Sequence, residues 1–86
     1  MKELEYTIRD PAGIHARPAG LLVKEMQKFA SKITLAKDGK TVDLKKLFAL
    51  MGLAVKQNQT VLIRAEGEDE DAAIEKVKAF MEAEGM

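Results

Sequence analysis

Hydrophobic residues in this sequence recur at every second position in some segments and at every third or fourth position in others. A spacing of two is typical of a strand with one buried face, and a spacing near 3.6 is typical of an amphipathic helix. The resulting order is strand, helix, strand, strand, short helix, strand, helix. This order predicts an α+β fold with a mostly antiparallel sheet and helices on one face. The 86 residues suffice for one domain, residues 1–86, and not for two.

The predicted strands are identified by alternation and by turn residues. In the first strand Leu4, Tyr6 and Ile8 share one face, and charged or polar residues occupy the other. The pair Asp38-Gly39 has the sequence of a two-residue hairpin turn, so the strands on either side of it should pair with each other. The predicted strands are residues 2–9, 32–36, 40–44 and 60–65.

Three segments have the spacing of amphipathic helices. The first begins near Pro18, which a helix tolerates in its first turn. The last opens on the acidic residues 66–71, whose carboxylates stabilise a helix amino terminus and lack the ligand spacing of a calcium loop. The expected buried residues are Ala19, Leu22, Val23, Met26, Phe29 and Ala30 in the first helix, Leu47, Leu50, Met51 and Leu53 in the second, and Ala73, Ile74, Val77, Phe80 and Met81 in the third.

Composition argues against several classes of function. The 14 basic and 14 acidic side chains cancel, so no overall field attracts nucleic acid or an anionic membrane. The absence of cysteine and the single histidine leave no usual metal site and no thiol chemistry. No apolar stretch is long enough to span a bilayer, and no signal-peptide pattern opens the sequence. We therefore expect a cytoplasmic protein with no metal or cofactor.

The segment from Gly13 to Gly20 has unusual local physics because it contains the only histidine. Pro18 disfavours a helical conformation at the preceding residue, so the helix should begin near residues 16–18 and leave His15 just outside it. The free N–H groups of a first helical turn bind anions and favour a neutral, nucleophilic imidazole. Arg17 adds a planar cation suited to phosphate oxygens.

Two interpretations of His15 and Arg17 follow. A nucleophilic imidazole, oriented amides and a guanidinium are the groups that phosphoryl transfer requires. In the alternative interpretation His15 only caps the helix and Arg17 is a solvated surface charge. Spacing alone gives the capping interpretation at least equal weight, because a lone histidine is a weak signal.

The segment Gly13-Ile14-His15-Ala16-Arg17-Pro18-Ala19 resembles the HPr family, the histidine-containing phosphocarrier proteins of the bacterial phosphoenolpyruvate-dependent sugar phosphotransferase system. The similarity continues through residues 40–45, 47–53 and 66–70 and covers essentially the whole chain. This resemblance implies an open-faced β-sandwich, with a four-stranded antiparallel sheet in the order 1-4-2-3 and three helices on one face. It also favours the functional interpretation of His15 over the capping one.

The resemblance further implies a phosphoryl carrier rather than an enzyme. His15 would accept a phosphoryl group at Nδ1 from phosphorylated Enzyme I and pass it to the IIA domain of a sugar permease. Arg17, with the backbone N–H groups of Ala16 and Arg17, would steady the phosphate. No cofactor takes part.

A partner surface is expected beside His15. Leu21 and Phe48 fall outside the buried stripes of their helices and should form an exposed apolar patch. Scattered surface apolar residues are common, so the patch alone does not establish a docking site. The family uses these helix faces for both partners, and lysines nearby would steer a monomer toward acidic surfaces. The predicted partner residues are Gly20, Leu21, Lys24, Lys45, Lys46, Leu47, Phe48 and Met51.

One position departs from the family pattern. Many HPr proteins of Gram-positive bacteria have a regulatory serine before the second helix, and this chain has Lys46 there. Neither Ser31 nor Thr41 matches that position, so seryl regulation of this kind should be absent. Two alternatives to the carrier in sugar uptake remain: an HPr-like paralogue that binds a regulator or serves a non-sugar branch, and a generic α+β interaction domain.

Overall fold

Strands and helices follow each other in the predicted order. The computed structural model describes all 86 residues of the chain. Every predicted element is present, and the differences lie at its ends. The elements are β1 (Lys2–Thr7), α1 (Ala16–Met26), β2 (Lys32–Lys37), β3 (Lys40–Asp43), α2 (Leu47–Gly52), β4 (Thr60–Glu66) and α3 (Glu70–Ala83).

The four strands form one antiparallel sheet in the order β1-β4-β2-β3, as predicted. Ile63 of β4 lies opposite Leu4 on one side and Leu35 on the other, so these three side chains form one row on the inner face. On the open face Glu3 lies opposite Arg64, and their side chains form an ion pair of 2.7 Å. Helices cover only the inner face, which makes the fold an open-faced sandwich.

The Asp38-Gly39 turn joins β2 to β3 as the sequence predicted. Asp38 has a φ of 51° and Gly39 a φ of 80°. Two successive positive φ angles are typical of the tight hairpin turn whose twist matches that of paired strands. The turn therefore fixes the register in which Lys37 pairs with Lys40.

A single cluster of 20 buried residues lies between the sheet and the helices. The strands contribute residues such as Ile33 and Leu35, and the helices contribute residues such as Leu22, Met26 and Val77, all of them with no exposed surface. Burying one such side chain contributes roughly 1.5–3 kcal/mol. This cluster holds α1 and α2 against the sheet and so sets the position of the residues at their exposed ends.

The predicted end of the first helix was wrong. Helix α1 ends at Met26, and the following residues turn toward β2. Phe29 is only half-buried and Ala30 is exposed, although both were expected on the buried face. The backbone N–H of Ala30 donates to the carboxylate of Asp69 at 2.8 Å, and this contact takes the place of a continued helix.

The side chain of Asp69 joins the α1–β2 connection to the start of α3. It accepts hydrogen bonds from the backbone N–H of Ala30, from the N–H of Ser31 at 2.9 Å and from the Ser31 hydroxyl. Gly67 packs so closely that a Cβ there would lie 2.6 Å from Ser31 Oγ. The acidic residues 66–71 were expected only to stabilise the helix terminus, and Asp69 makes no side-chain cap. Its main role is this link between two loops.

An Asp69→Asn variant should be less stable than the wild type at neutral pH and should approach it in acid. The Ser31 hydroxyl, followed by the Ala30 N–H, holds the pKa of Asp69 below its ordinary value of 3.8. The stabilising contribution is therefore present above that ordinary value and is lost as the pH falls through the lower native pKa. We expect a neutral-pH Tm roughly 5–10 °C lower. Thermal scans over pH measure this, and Glu68→Gln, which removes an exposed charge at the preceding residue of the same loop, should change little.

Candidate functional site

His15 is the residue immediately before the first turn of α1, as the sequence predicted. Its backbone is extended, with φ of −94° and ψ of 171°, and its carbonyl accepts the first helical hydrogen bond from Ala19 at 3.1 Å. The N–H groups of Ala16 and Arg17 have no backbone acceptor. These two donors therefore point outward at the positive end of the helix, where an anion is stabilised.

The loop before His15 is fixed by its contact with the segment after α2. Gly13 has a φ of 70°, and a Cβ built on it would lie 2.2 Å from the carbonyl oxygen of Val55. The next residue, Ile14, donates its N–H to the same oxygen at 3.0 Å. Only a glycine allows this approach, so the position of His15 depends on the close packing of two loops.

The imidazole of His15 is held by one of its two nitrogens. Its Nε2 atom lies 3.2 Å from Oδ2 of Asp10, and its Nδ1 atom has no hydrogen-bond partner within the chain. The side chain is 39% exposed and lies in a shallow depression with Ala16, Met51 and Lys56 on its rim. Nδ1 is therefore the ring nitrogen that is free to react.

The side chain of Arg17 is 73% exposed. Its Nη2 atom lies 3.7 Å from Oε1 of Glu84, just after α3, and no hydrogen bond joins it to His15. An ion pair this long and exposed contributes little stability. The guanidinium is thus free to change partner.

The predicted partner surface lies on one side of the molecule, over α1 and α2. Leu21 is 43% exposed and Phe48 is 89% exposed, which confirms that both apolar side chains face solvent. A depression between the helices has Arg17 on its rim, and Met51 lies apart from it, beside His15. The predicted partner residues that line the depression between the helices are Gly20, Leu21, Lys24 and Leu47.

The three predicted steering lysines differ in their surroundings. Lys24 and Lys46 are exposed, and Lys46 precedes the first turn of α2. The ammonium of Lys45 donates to the carbonyl of Phe29 at 2.6 Å, and the Lys45 carbonyl accepts from the Gln27 side chain at 2.9 Å. Lys45 therefore ties the end of α1 to the start of α2, which leaves Lys24 and Lys46 as the freer charges.

No three histidine, aspartate or glutamate side chains come together in a way that could hold a metal ion. None of the helices has the length and apolar composition needed to cross a bilayer.

A family model described as "PTS HPr component phosphorylation site" matches residues 2–83. The chain belongs to the HPr family. Its members are phosphocarrier proteins, as the name of a relative from Mycoplasma pneumoniae states; that protein is 41% identical over 83 residues, 95% of this chain and 94% of the relative. The HPr-like protein Crh of Bacillus subtilis is 42% identical over 84 residues, 98% of this chain and 99% of Crh. The resemblance seen in the sequence is confirmed.

Solved HPr structures have the same fold. A histidine-containing phosphocarrier protein of a mycoplasma matches with a TM-score of 0.96 at 37% identity, covering 98% of this chain and 96% of its own. The crystal structure of Crh, described as a dimer with a swapped domain, matches with a TM-score of 0.77 at 41% identity, covering 96% and 95%. The sheet order and helix placement predicted from the HPr resemblance are therefore confirmed.

Sequence reasoning missed three residues of the site. Asp10 was treated only as part of a turn, and Glu84 and Gln27 were given no role. Asp10 and His15 are five positions apart across a loop, and Arg17 and Glu84 lie at opposite ends of an HPr chain. No local pattern brings these pairs together, although an acidic residue just before a loop that carries a lone histidine is a signal worth weighing.

Proposed function

We propose that this HPr protein carries a phosphoryl group on Nδ1 of His15, receives it from phosphorylated Enzyme I and delivers it to the IIA domain of a sugar permease. The observation that supports this most directly is the state of the imidazole. Its Nε2 atom is engaged by Asp10, Nδ1 has no partner within the chain, and the half-exposed side chain precedes the free N–H groups of Ala16 and Arg17 in the sequence. A helix cap alone would need neither feature, and His15 makes no side-chain cap.

The transfer step uses the groups at the helix end. The lone pair of Nδ1 attacks phosphorus, and the bond from phosphorus to the donor's nitrogen breaks as its electron pair returns to the donor. The N–H groups of Ala16 and Arg17 stabilise the negative charge on the equatorial oxygens, because the positive end of a helix favours an anion. The guanidinium of Arg17 joins them by leaving Glu84, since a bidentate fork suits phosphate oxygens.

Partner docking is assigned to the exposed surface over α1 and α2. Phe48 and Leu21 supply the apolar anchors, and Lys24 and Lys46 steer the approach toward acidic partner surfaces. A carrier must leave each partner quickly, and a small patch with few apolar residues suits a transient interface. We propose that the protein acts as a monomer, which light scattering at working concentration checks.

The test is labelling of the purified chain. Incubated with phosphoenolpyruvate and Enzyme I, it should acquire one phosphoryl group per molecule, lost in acid and retained in alkali. A purified IIA domain added next should remove the label. A wild-type chain that stays unlabelled, while an authentic HPr is labelled in the same tube, overturns the proposal.

Arg17→Ala should slow phosphoryl transfer roughly 10- to 100-fold, because it removes a charged donor to the phosphate oxygens. Stability should hardly change, since the only ion pair of Arg17 is long and exposed. Rapid-quench transfer rates and thermal scans measure the two effects. Arg64→Ala removes the same charge from the open face of the sheet and should transfer at the wild-type rate. An unfolded Arg17→Ala chain would assign the residue a structural role.

A second candidate is an HPr-like regulatory paralogue, which the similarity to Crh favours. Lys46 occupies the usual position of the regulatory serine, so no hydroxyl is available there for phosphorylation. Ser31 is buried and donates its hydroxyl to Asp69. Deleting the gene distinguishes the candidates. Loss of uptake of phosphotransferase sugars supports the carrier, and unchanged uptake supports the regulator.

A further inference from the structure

Asp10 is held in place by its own loop. Its Oδ1 atom accepts the N–H of Ala12 at 2.8 Å, and its carbonyl accepts the N–H of Gly13, also at 2.8 Å. Its N–H donates to the backbone oxygen of Met86 at 3.3 Å. With Oδ1 committed to the turn, Oδ2 is the atom that faces Nε2 of His15 at 3.2 Å. The contact therefore follows from the folded loop and not from a freely rotating side chain.

Asp10 is an acceptor at neutral pH. The N–H of Ala12, and after it the imidazole, hold the pKa of Asp10 below its ordinary value, so the carboxylate stays ionised. An ionised carboxylate has no proton to donate. The proton in the contact must therefore sit on Nε2 of His15, which leaves Nδ1 with its lone pair.

We infer that Asp10 is a positioning residue for His15: its carboxylate keeps the ring proton on Nε2 throughout the phosphoryl transfer cycle. This inference rests on the proposed function. Before transfer, the proton on Nε2 leaves Nδ1 unprotonated and nucleophilic. The same arrangement of an aspartate behind a reacting histidine selects the tautomer in serine proteases.

Asp10 also has a role after the phosphoryl group has been transferred, because the ring keeps its proton. Nδ1 forms its bond to phosphorus and the donor's nitrogen–phosphorus bond breaks, while no proton leaves His15. The ring then holds both phosphorus and the Nε2 proton and is positively charged, and the carboxylate of Asp10 beside Nε2 offsets that charge. In onward transfer the same proton lets Nδ1 depart as a neutral imidazole.

Two substitutions separate this role from a structural one. In Asp10→Asn the amide oxygen still accepts the Ala12 N–H, and the amide NH₂ then replaces Oδ2 and donates to Nε2. The ring proton is driven to Nδ1, which blocks the nucleophile. Asp10→Ala removes the turn contact as well but imposes no tautomer. A residue that only supports the loop would be damaged more by alanine than by asparagine, and the positioning role predicts the opposite order for transfer.

The experiment combines nitrogen-15 NMR of the His15 ring with rapid-quench transfer from Enzyme I. We expect the wild type to hold its proton on Nε2, and Asp10→Asn to shift it to Nδ1 and to transfer about tenfold more slowly, with Asp10→Ala between them. Asp38→Asn, in the β2–β3 hairpin turn, removes the same charge and should match the wild type in both measurements.

The outcomes are distinct from those of the labelling test. A wild-type chain that accepts no phosphate sinks the proposed function, whereas the ring spectrum reports on Asp10 without any phosphorylation. The inference is overturned if Asp10→Asn keeps the wild-type tautomer or the wild-type rate. It is also overturned if Asp10→Ala is the slower variant, because the loop and not the ring proton would then account for the loss.

Discussion

A His15→Ala variant is expected to accept no phosphoryl group from Enzyme I while keeping its fold. His15 is the only histidine in the chain, so no second imidazole can take the phosphate. The side chain is 39% exposed, makes no helix cap and is hydrogen-bonded only to Asp10, so its removal leaves no buried group unpaired. We expect a loss of stability of at most about 1 kcal/mol, because the helix start is held by backbone contacts.

Mass spectrometry of the intact chain under alkaline conditions measures the result. The wild type should gain one phosphoryl group and the variant none, at any Enzyme I concentration. Arg64→Ala serves as the folded control that is still labelled. An acid-labile phosphate on the His15→Ala chain would contradict the assignment of the site, and a Tm far below the wild type would show that His15 supports the fold.

The strands and their order were the most predictable part of the molecule. In β4 the residues Val61, Ile63 and Ala65 occupy every second position, which places the three on the inner face, where all are buried. The turn at Asp38-Gly39 was readable because its two residues alone favour the required backbone angles. Both features depend on residues that are close together in the sequence, so they can be predicted from the sequence alone.

The ends of elements and the loop contacts were not predictable in this way. Helix α1 stops at Met26, and Asp69 holds Ala30 and Ser31 in the connection that follows, although Ser31 and Asp69 are 38 positions apart. The link from Lys45 to the carbonyl of Phe29 spans 16 positions. Contacts of this kind exist only once the chain is folded, so no periodicity or turn signal encodes them.

The candidate site was partly readable for the same reason. The proline two residues after Ala16 and the helix start after His15 are local, and the structure places His15 where they indicated. The direction of Arg17 depends on Glu84, which comes from the far end of the chain. The position of His15 at the helix start could therefore be predicted from the sequence, and the partners of His15 and Arg17 could not.

Gly13→Ala is expected to be the most destabilising single substitution near the site. Two costs combine: a residue with a Cβ must adopt a φ of 70°, and that Cβ would lie 2.2 Å from Val55 O and 2.8 Å from Lys56 Cα. Both contacted atoms belong to the backbone, so relief requires the two loops to separate and the Ile14 hydrogen bond to break. We expect a loss of about 3–5 kcal/mol, a large part of a small domain's stability.

Gly39→Ala isolates the cost of the backbone angle, since Gly39 has a φ of 80° and nothing within 4 Å of an added Cβ. Its loss should be about 1 kcal/mol. Urea unfolding of both variants measures the difference, which is the energy of the close approach between the loops. Because that approach positions His15, the Gly13→Ala chain should also be phosphorylated more slowly at temperatures where it remains folded. Equal losses from the two substitutions would mean that the loops separate easily, and the rigid placement of His15 would then need another cause.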